Sequence, residues 1–170
     1  MVMAGNFKPS LNGSNKNLRQ GIYVPKHPEK VIQGDTKEPI MFRSGWEYTA
    51  FRYCDGNSNI VRWGSEIVKI PYIHPIRGNV SNYFMDLYVE FKMNDDSIVK
   101  ALIEIKPYKE TIPPKRVGKN KKQQIYEEQN WIVNSAKWAA TEEFCKRNGL
   151  KFLKWTEYDL VPGKINKRKR

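Results

Sequence analysis

The chain has 170 residues, enough for one compact domain with tails and a sizeable core. A hydrophobic share of 39%, with five Trp, nine Tyr and seven Phe, excludes wholesale disorder. Thirty Lys and Arg against 18 Asp and Glu leave a net charge of +12. That charge points to a large polyanion, nucleic acid first, although anionic membranes and acidic proteins attract the same cations.

Two cysteines, Cys54 and Cys145, supply neither a disulfide framework nor a metal-ligand spacing, and read as packing residues of a reducing compartment. The opening Met1-Val2-Met3-Ala4-Gly5-Asn6 lacks the apolar stretch of a signal peptide, and no apolar run is long enough to span a bilayer. The expectation is a soluble protein made in the cytoplasm.

Residues 1 to 40 are rich in Asn, Gly, Lys and Pro with scattered apolar positions, and read as an irregular arm, either a loose terminus or a docking segment. Ser44-Gly45-Trp46-Glu47 opens a helix with a capping-box pattern, and Trp46, Ala50, Tyr53 and Cys54 then share one face. Asp55-Gly56-Asn57 stops it. Residues 60 to 73 read as strand, interrupted near Gly64-Ser65, and Pro75 to Asn79 holds a turn.

Tyr83 to Met93 reads as one strand of strict period 2, with Met85, Leu87, Val89, Phe91 and Met93 on one face and Phe84, Asp86, Tyr88, Glu90 and Lys92 on the other. Asn94-Asp95-Asp96 turns the chain into a returning strand, Ile98 to Lys106, which Pro107 ends. A loop rich in Pro and Lys covers 109 to 122. A long helix over 123 to 148 follows, with Ile125, Ile132, Val133, Ala136, Ala140 and Phe144 as its buried stripe and Asn148-Gly149 as its C-cap. Leu150 to Thr156 reads as a strand reached by a crossover onto the same sheet. The end, 161 to 170, is a basic tail. This order predicts a small mixed α/β sheet with helices packed on it, a domain spanning 41 to 160.

The hairpin register follows from its charges. If paired residue numbers sum to 190, Glu90 faces Lys100, Phe91 faces Val99, Val89 faces Ala101, Leu87 faces Ile103, and Met85 faces Ile105. A sum of 192 opposes Lys92 to Lys100, and an odd sum mixes the two faces. In the favoured register Asp86 lies opposite Glu104, with Lys106 next along the same face. Opposed carboxylates repel, and a divalent cation removes that penalty; one Asp, one Glu and water suit Mg²⁺ or Mn²⁺. The plainer alternative leaves Asp86 solvated and pairs Glu104 with Lys106. Glu47 has two readings as well, closing the capping box or turning toward the metal as an outer ligand.

Glu47 in a first helix, Asp86 in a strand and Glu104-Ile105-Lys106 in the next strand resemble the PD-(D/E)xK nuclease superfamily. Trp63-x-Ser65-Glu66, Tyr72-x-x-Pro75-x-x-Gly78, Tyr83-x-x-Asp86 and Ile103-Glu104-Ile105-Lys106-Pro107 look like its TnsA-type endonuclease branch. The run from Gly45-Trp46-Glu47 to Pro107 is similar to the head completion nucleases of T-even-type tailed bacteriophages. Met85 stands where such nucleases often have Pro before the Asp.

The resemblance implies a restriction-endonuclease-like α-β-β-β-α-β core and a metal-dependent DNA nuclease with endonuclease and exonuclease action. It implies that Asp86 and Glu104 hold Mg²⁺ or Mn²⁺, with the Ile105 carbonyl as third ligand and Glu47 completing the acidic cluster. Lys106 would orient or deprotonate the attacking water, or stabilise the phosphorane; Glu66 is a weaker candidate. Double-stranded DNA would be gripped by Lys109, Lys115, Arg116, Lys119, Lys121 and Lys122 in the loop and by Lys164, Lys167, Arg168, Lys169 and Arg170 in the tail. The alternative for both runs is a solvated charge cluster. The implied setting is virion assembly in the host cytoplasm, near portal and neck proteins at the head-neck region of the virion. Alternatives are a restriction, repair or transposon-type endonuclease, or a catalytically silent DNA-binding neck protein.

Overall fold

The computed structural model describes residues 20–34, 38–115, 118 and 120–161. Its centre is a four-stranded mixed sheet of β3 (Ile60–Ser65), β6 (Leu87–Lys92), β7 (Ile98–Ile105) and β8 (Lys151–Trp155), in the order β3-β6-β7-β8. β3, β6 and β7 run antiparallel, while β8 lies parallel to β7 because α2 (Lys121–Asn148) carries the chain across the sheet between them. α1 (Gly45–Gly56) precedes β3, and the short α3 (Glu157–Leu160) follows β8. The mixed α/β class and the crossover are as expected.

The β6–β7 register is the predicted one: Leu87↔Ile103, Val89↔Ala101, Glu90↔Lys100 and Phe91↔Val99 all pair. The expected single strand from Tyr83 to Met93 is instead two. β5 (Val80–Phe84) pairs with β4 (Lys69–Ile73) in a separate hairpin, and β6 starts only at Leu87. Met85 N–H donates to the Val68 carbonyl, so the chain bends there and the alternation slips. Met85 therefore does not face Ile105; it packs with Tyr83, Leu102 and Cys145 under α2, whereas Leu87 and Val89 belong to the core under α1.

The sheet thus has a core on each side. On one side α1 and α3 cover Trp63, Leu87, Val89, Ala101, Ile103 and Ile105. On the other, α2 and the β4–β5 hairpin cover Leu102, Met85, Tyr83, Tyr72 and Ile70. Each fully buried side chain of this size contributes roughly 1.5–3 kcal/mol. The α2 stripe differs from the predicted one. Val133, Ala136, Ala140 and Phe144 do pack inward, joined by buried Trp138, Thr141 and Cys145, but Ile125 and Ile132 are exposed. The buried face is turned from the predicted one and runs through Thr141; at 3.6 residues per turn Ile132 and Ile125 lie on the far side of the helix from it. On α1, Ala50 and Cys54 are buried as expected, Tyr53 is not, and Phe51 and Asp55 are.

Caps set the helix bounds. Ser44 Oγ accepts from Glu47 N–H at α1, Asn120 Oδ1 accepts from Gln123 N–H at α2, and Gly149 closes α2 in the left-handed conformation at φ 64°.

The part of the expected N-terminal arm within the described residues is built into the domain. β1 (Gly21–Ile22) pairs with β2 (Met41–Phe42), and Tyr23 is buried against Phe51 and Trp63. Ile32 N–H donates to the Trp63 carbonyl at 2.7 Å, an approach that needs Gly64, where a Cβ would meet the Ile32 oxygen at 2.7 Å. Buried Asp55 clamps this segment, accepting from Tyr23 Oη at 2.9 Å, Lys26 N–H at 2.7 Å and His27 N–H at 2.9 Å.

Candidate active site

β7 brings Glu104 and Lys106 to the α2 side of the sheet at the strand's carboxyl end, two residues apart and hence on one face. Glu104 is 2% exposed, and Lys106 Nζ lies 3.4 Å from its Oε1. The bend at Met85 delivers Asp86. Its Oδ2 accepts a 2.6 Å hydrogen bond from the N–H of Ile105, the residue between the other two. Asp86 is therefore not a ladder partner of Glu104, as the extrapolated register had it. The ladder ends at Leu87↔Ile103, and the Asp86 side chain, not its backbone, meets β7.

Burial lifts the Asp86 carboxyl to about 6; the Ile105 N–H and Lys106 pull it down, while Glu47 and Glu66 push it further up. Glu104 is also raised, by burial first, with Lys106 opposing. For Lys106 burial works against the charge, yet Glu104 and Asp86 outweigh it and its pKa is raised. Glu104 Oε2 is buried and makes no hydrogen bond among the described residues. Two carboxylates short of solvent, one with an orphaned oxygen, share the Lys106 ammonium. This donor set fits a hard divalent cation bound through oxygen.

Glu47 is engaged elsewhere. Its Oε2 accepts from Arg43 N–H at 2.7 Å and its Oε1 from Ser44 Oγ at 3.1 Å, so it braces the turn into α1 without closing the expected capping box on the Ser44 N–H. It remains within electrostatic reach of Asp86. Among the described residues no group of three or more Asp, Glu, His or Cys side chains is disposed to hold a metal. Glu66, at φ 54° where the chain leaves β3, is exposed and ion-paired with Arg43. An open cleft of about 880 Å³ runs past the end of β7, walled by Trp46, Glu47, Lys106, Pro107, Lys109 and Glu110 among others; Asp86 and Glu104 are not part of its wall.

Two cations near the centre were not anticipated. Arg43 sits within the field of Glu66, Glu47 and Asp86, which together with its hydrogen bond to Glu66 raise its pKa. Lys137 on α2 places its ammonium 5.0 Å from the Tyr83 ring centroid and 6.0 Å from that of Tyr72. Burial and Lys106 lower its pKa, while Glu104 and Asp86 draw it the other way. The only sequence signal for Lys137 was a cation inside an apolar helical stripe, at i+4 from Val133 and i−3 from Ala140. Of the expected DNA-gripping residues, Lys109, Lys115, Lys121 and Lys122 are exposed. Arg116, Lys119, Lys164, Lys167, Arg168, Lys169 and Arg170 lie outside the described residues. Trp131 and Trp138 pack edge to face at 5.7 Å.

An acid at a bend, a Glu-x-Lys at the end of the neighbouring strand and a mixed sheet between helices define an endonuclease of the TnsA type. The model of the TnsA-like endonuclease N-terminal family matches residues 57–157, and the chain belongs to that family. The match takes in Asp86, Glu104 and Lys106 and leaves out Glu47. Among individual proteins, the chain is similar to the head completion nuclease of Enterobacteria phage T4, with 40% identity over 144 residues, covering 82% of this chain and 92% of the phage protein.

Proposed function

We propose that this chain is a divalent-metal-dependent nuclease acting on double-stranded DNA during phage head completion. The observation that carries the proposal is the Asp86 carboxylate hydrogen-bonded to the N–H of Ile105, the residue flanked in sequence by a buried Glu104 with an unpartnered oxygen and by Lys106, whose ammonium contacts Glu104. The 40% identity to a head completion nuclease supports the biological setting.

Asp86 and Glu104, with the Ile105 carbonyl, are the residues that would hold Mg²⁺ or Mn²⁺. When bound, such an ion supplies Lewis-acid polarisation of a phosphate and a more acidic water. The chain's own residues do the rest. Lys106 is held protonated by its two acidic neighbours, which suits it to steadying the negative charge that develops on the attacked phosphate and to orienting water. The Ile105 N–H fixes the Asp86 side chain, so the carboxylate is in place before substrate arrives. Glu47 holds the start of α1 against the cleft and adds negative charge beside Asp86. Lys109 on the cleft wall, with Lys115, Lys121 and Lys122, would contact the DNA backbone without reading bases. Portal and neck proteins are the proposed partners, and the head-neck region of the virion the proposed location.

The test is direct. Linear and circular duplex DNA is incubated with the full-length protein in Mg²⁺, in Mn²⁺ and in EDTA. Cutting of circles in either metal and none in EDTA is expected. DNA binding with no cutting in either metal would overturn the enzyme reading in favour of a structural DNA-binding protein.

A further inference from the structure

The β4–β5 hairpin has two unlike faces. Ile70, Tyr72 and Tyr83 are buried under α2. The opposite face carries Lys69, Pro71, Ile73, Val80, Asn82 and Phe84, all exposed, with Ile73 at 68% and Val80 at 71%. Strand pairing aligns these residues as Lys69↔Phe84, Pro71↔Asn82 and Ile73↔Val80, one continuous strip. No water-soluble sheet gains by leaving such a strip bare, so it reads as a contact surface.

The tip is a constructed turn. His74 and Asn79 are joined by a 2.9 Å backbone hydrogen bond, Gly78 N–H donates to the His74 carbonyl with φ at 70°, and His74 Nδ1 accepts from the N–H groups of Ile76 and Arg77. It presents Ile76, 54% exposed, beside the exposed Arg77. From residue 67 to 85 there is no Asp or Glu, while Lys69 and Arg77 are basic. The hairpin's base adjoins the candidate centre: Met85 N–H bonds to Val68, Glu66 N–H reaches the Asp86 carbonyl, and Phe84 stands two residues before Asp86.

We propose that the exposed face and tip of this hairpin form a ribbon that lies in a groove of duplex DNA alongside the phosphate to be cleaved. The proposal rests on the nuclease reading for its substrate and deepens it by naming the surface that holds the duplex. A two-stranded ribbon fits the major groove, and five paired positions give it a reach of about 16 Å from the centre. Freedom from acids removes repulsion by the phosphates. Arg77 can take a phosphate or a base edge, and Ile73, Ile76 and Val80 offer methyl groups to sugars and thymine methyls. A protein partner or a second copy of the chain is the competing occupant; the lack of acids and the continuity with Asp86 favour DNA.

The test uses the full-length protein in EDTA with a fluorescein-labelled duplex, followed by anisotropy between about 50 and about 200 mM NaCl. The variants are Arg77→Ala, Arg77→Lys and the double Ile73→Ser/Val80→Ser, all at exposed positions, with folding checked by circular dichroism. Arg77→Ala should weaken binding and reduce the log–log salt slope by about one, and Arg77→Lys should restore the slope. The double variant should weaken binding about threefold or more with the slope unchanged. Wild-type affinity and slope in all three variants overturn the proposal, as does a wild-type protein that ignores duplex DNA at low salt; a loss confined to self-association assigns the face to a second copy instead. Cleavage in Mg²⁺ by the same proteins separates the two ideas. Hairpin-dependent binding without cutting defeats the nuclease reading alone, and undiminished cutting by variants that bind normally defeats the ribbon alone.

Discussion

Asp86 and Ile105 are joined by a 2.6 Å hydrogen bond from the Ile105 N–H to the Asp86 carboxylate, which ties the bend before β6 to the last residue of β7. Asparagine at 86 can still accept this bond through its carbonyl oxygen but loses the charge. Asp86→Asn should therefore keep the fold while cleavage falls about a hundredfold or more. Single-turnover cutting of supercoiled DNA, with circular dichroism as the folding control, checks this.

The same substitution has a pH signature. Burial raises the Asp86 carboxyl from 3.8 to about 6, so its contribution to stability is fully present below pH 3.8 and is lost as pH rises through 6. In EDTA, Asp86→Asn should be more stable than wild type at pH 8, by on the order of 2–3 kcal/mol, and match it near pH 3.5. Adding Mg²⁺ or Mn²⁺ at pH 8 should raise the melting temperature of wild type and leave that of the variant unmoved. Equal metal responses in the two proteins would remove Asp86 from the ion's ligands.

Lys106→Met tests the charge at the cleft. It strips the buried Glu104 of the ammonium 3.4 Å away, and should cost about 1–3 kcal/mol. Cleavage should fall about a hundredfold or more while duplex affinity in EDTA changes little. A variant that still cuts at wild-type rate would leave Lys106 with a structural role alone.

Glu47→Gln separates capping from chemistry. The amide oxygen can replace one acceptor, for Arg43 N–H or Ser44 Oγ, so the stability loss should stay within about 1 kcal/mol. Cleavage should fall less than about tenfold if Glu47 acts by position and field rather than as a direct ligand. A drop as deep as that of Asp86→Asn would make it a ligand.

Asp55→Ala reports on the segment before α1. Burial opposes the Asp55 charge, but the Lys26 and His27 N–H groups and the Tyr23 hydroxyl outweigh it and hold its pKa low. That contribution is present above the unfolded carboxylate pKa and is lost as pH falls through the lower folded value. The variant should lose about 2–3 kcal/mol at pH 7, with the difference shrinking toward pH 3, by chemical denaturation.

Much of the centre was legible in the sequence because charge and shape agreed. Glu90 against Lys100 set the β6–β7 register, and the structure holds that pairing as far as Leu87↔Ile103. Alternation could not reveal the bend at Met85. A residue that slips the pleat by one still looks apolar among apolar neighbours, and only the Val68 carbonyl that captures its N–H betrays the break. On α2, apolar spacing draws Ile125 and Ile132 into the stripe, but the buried face is centred near Thr141, a polar residue that periodicity of apolar positions does not count. Lys137 escaped notice because no local pattern says that a cation on a helix will stand over tyrosines from a distant hairpin and meet acids from two strands.

The parallel pairing of β7 with β8 sets an order of events during synthesis. β7 bears Glu104 and leads directly into Lys106, yet its outer edge stays open until β8 arrives after the whole of α2, and the Lys106 N–H finds its acceptor only in Trp155. A nascent chain halted before β8 has every acid of the centre and no frame to hold them. The frame of the centre is thus closed from behind, by a strand that the chain reaches only after crossing the sheet through α2.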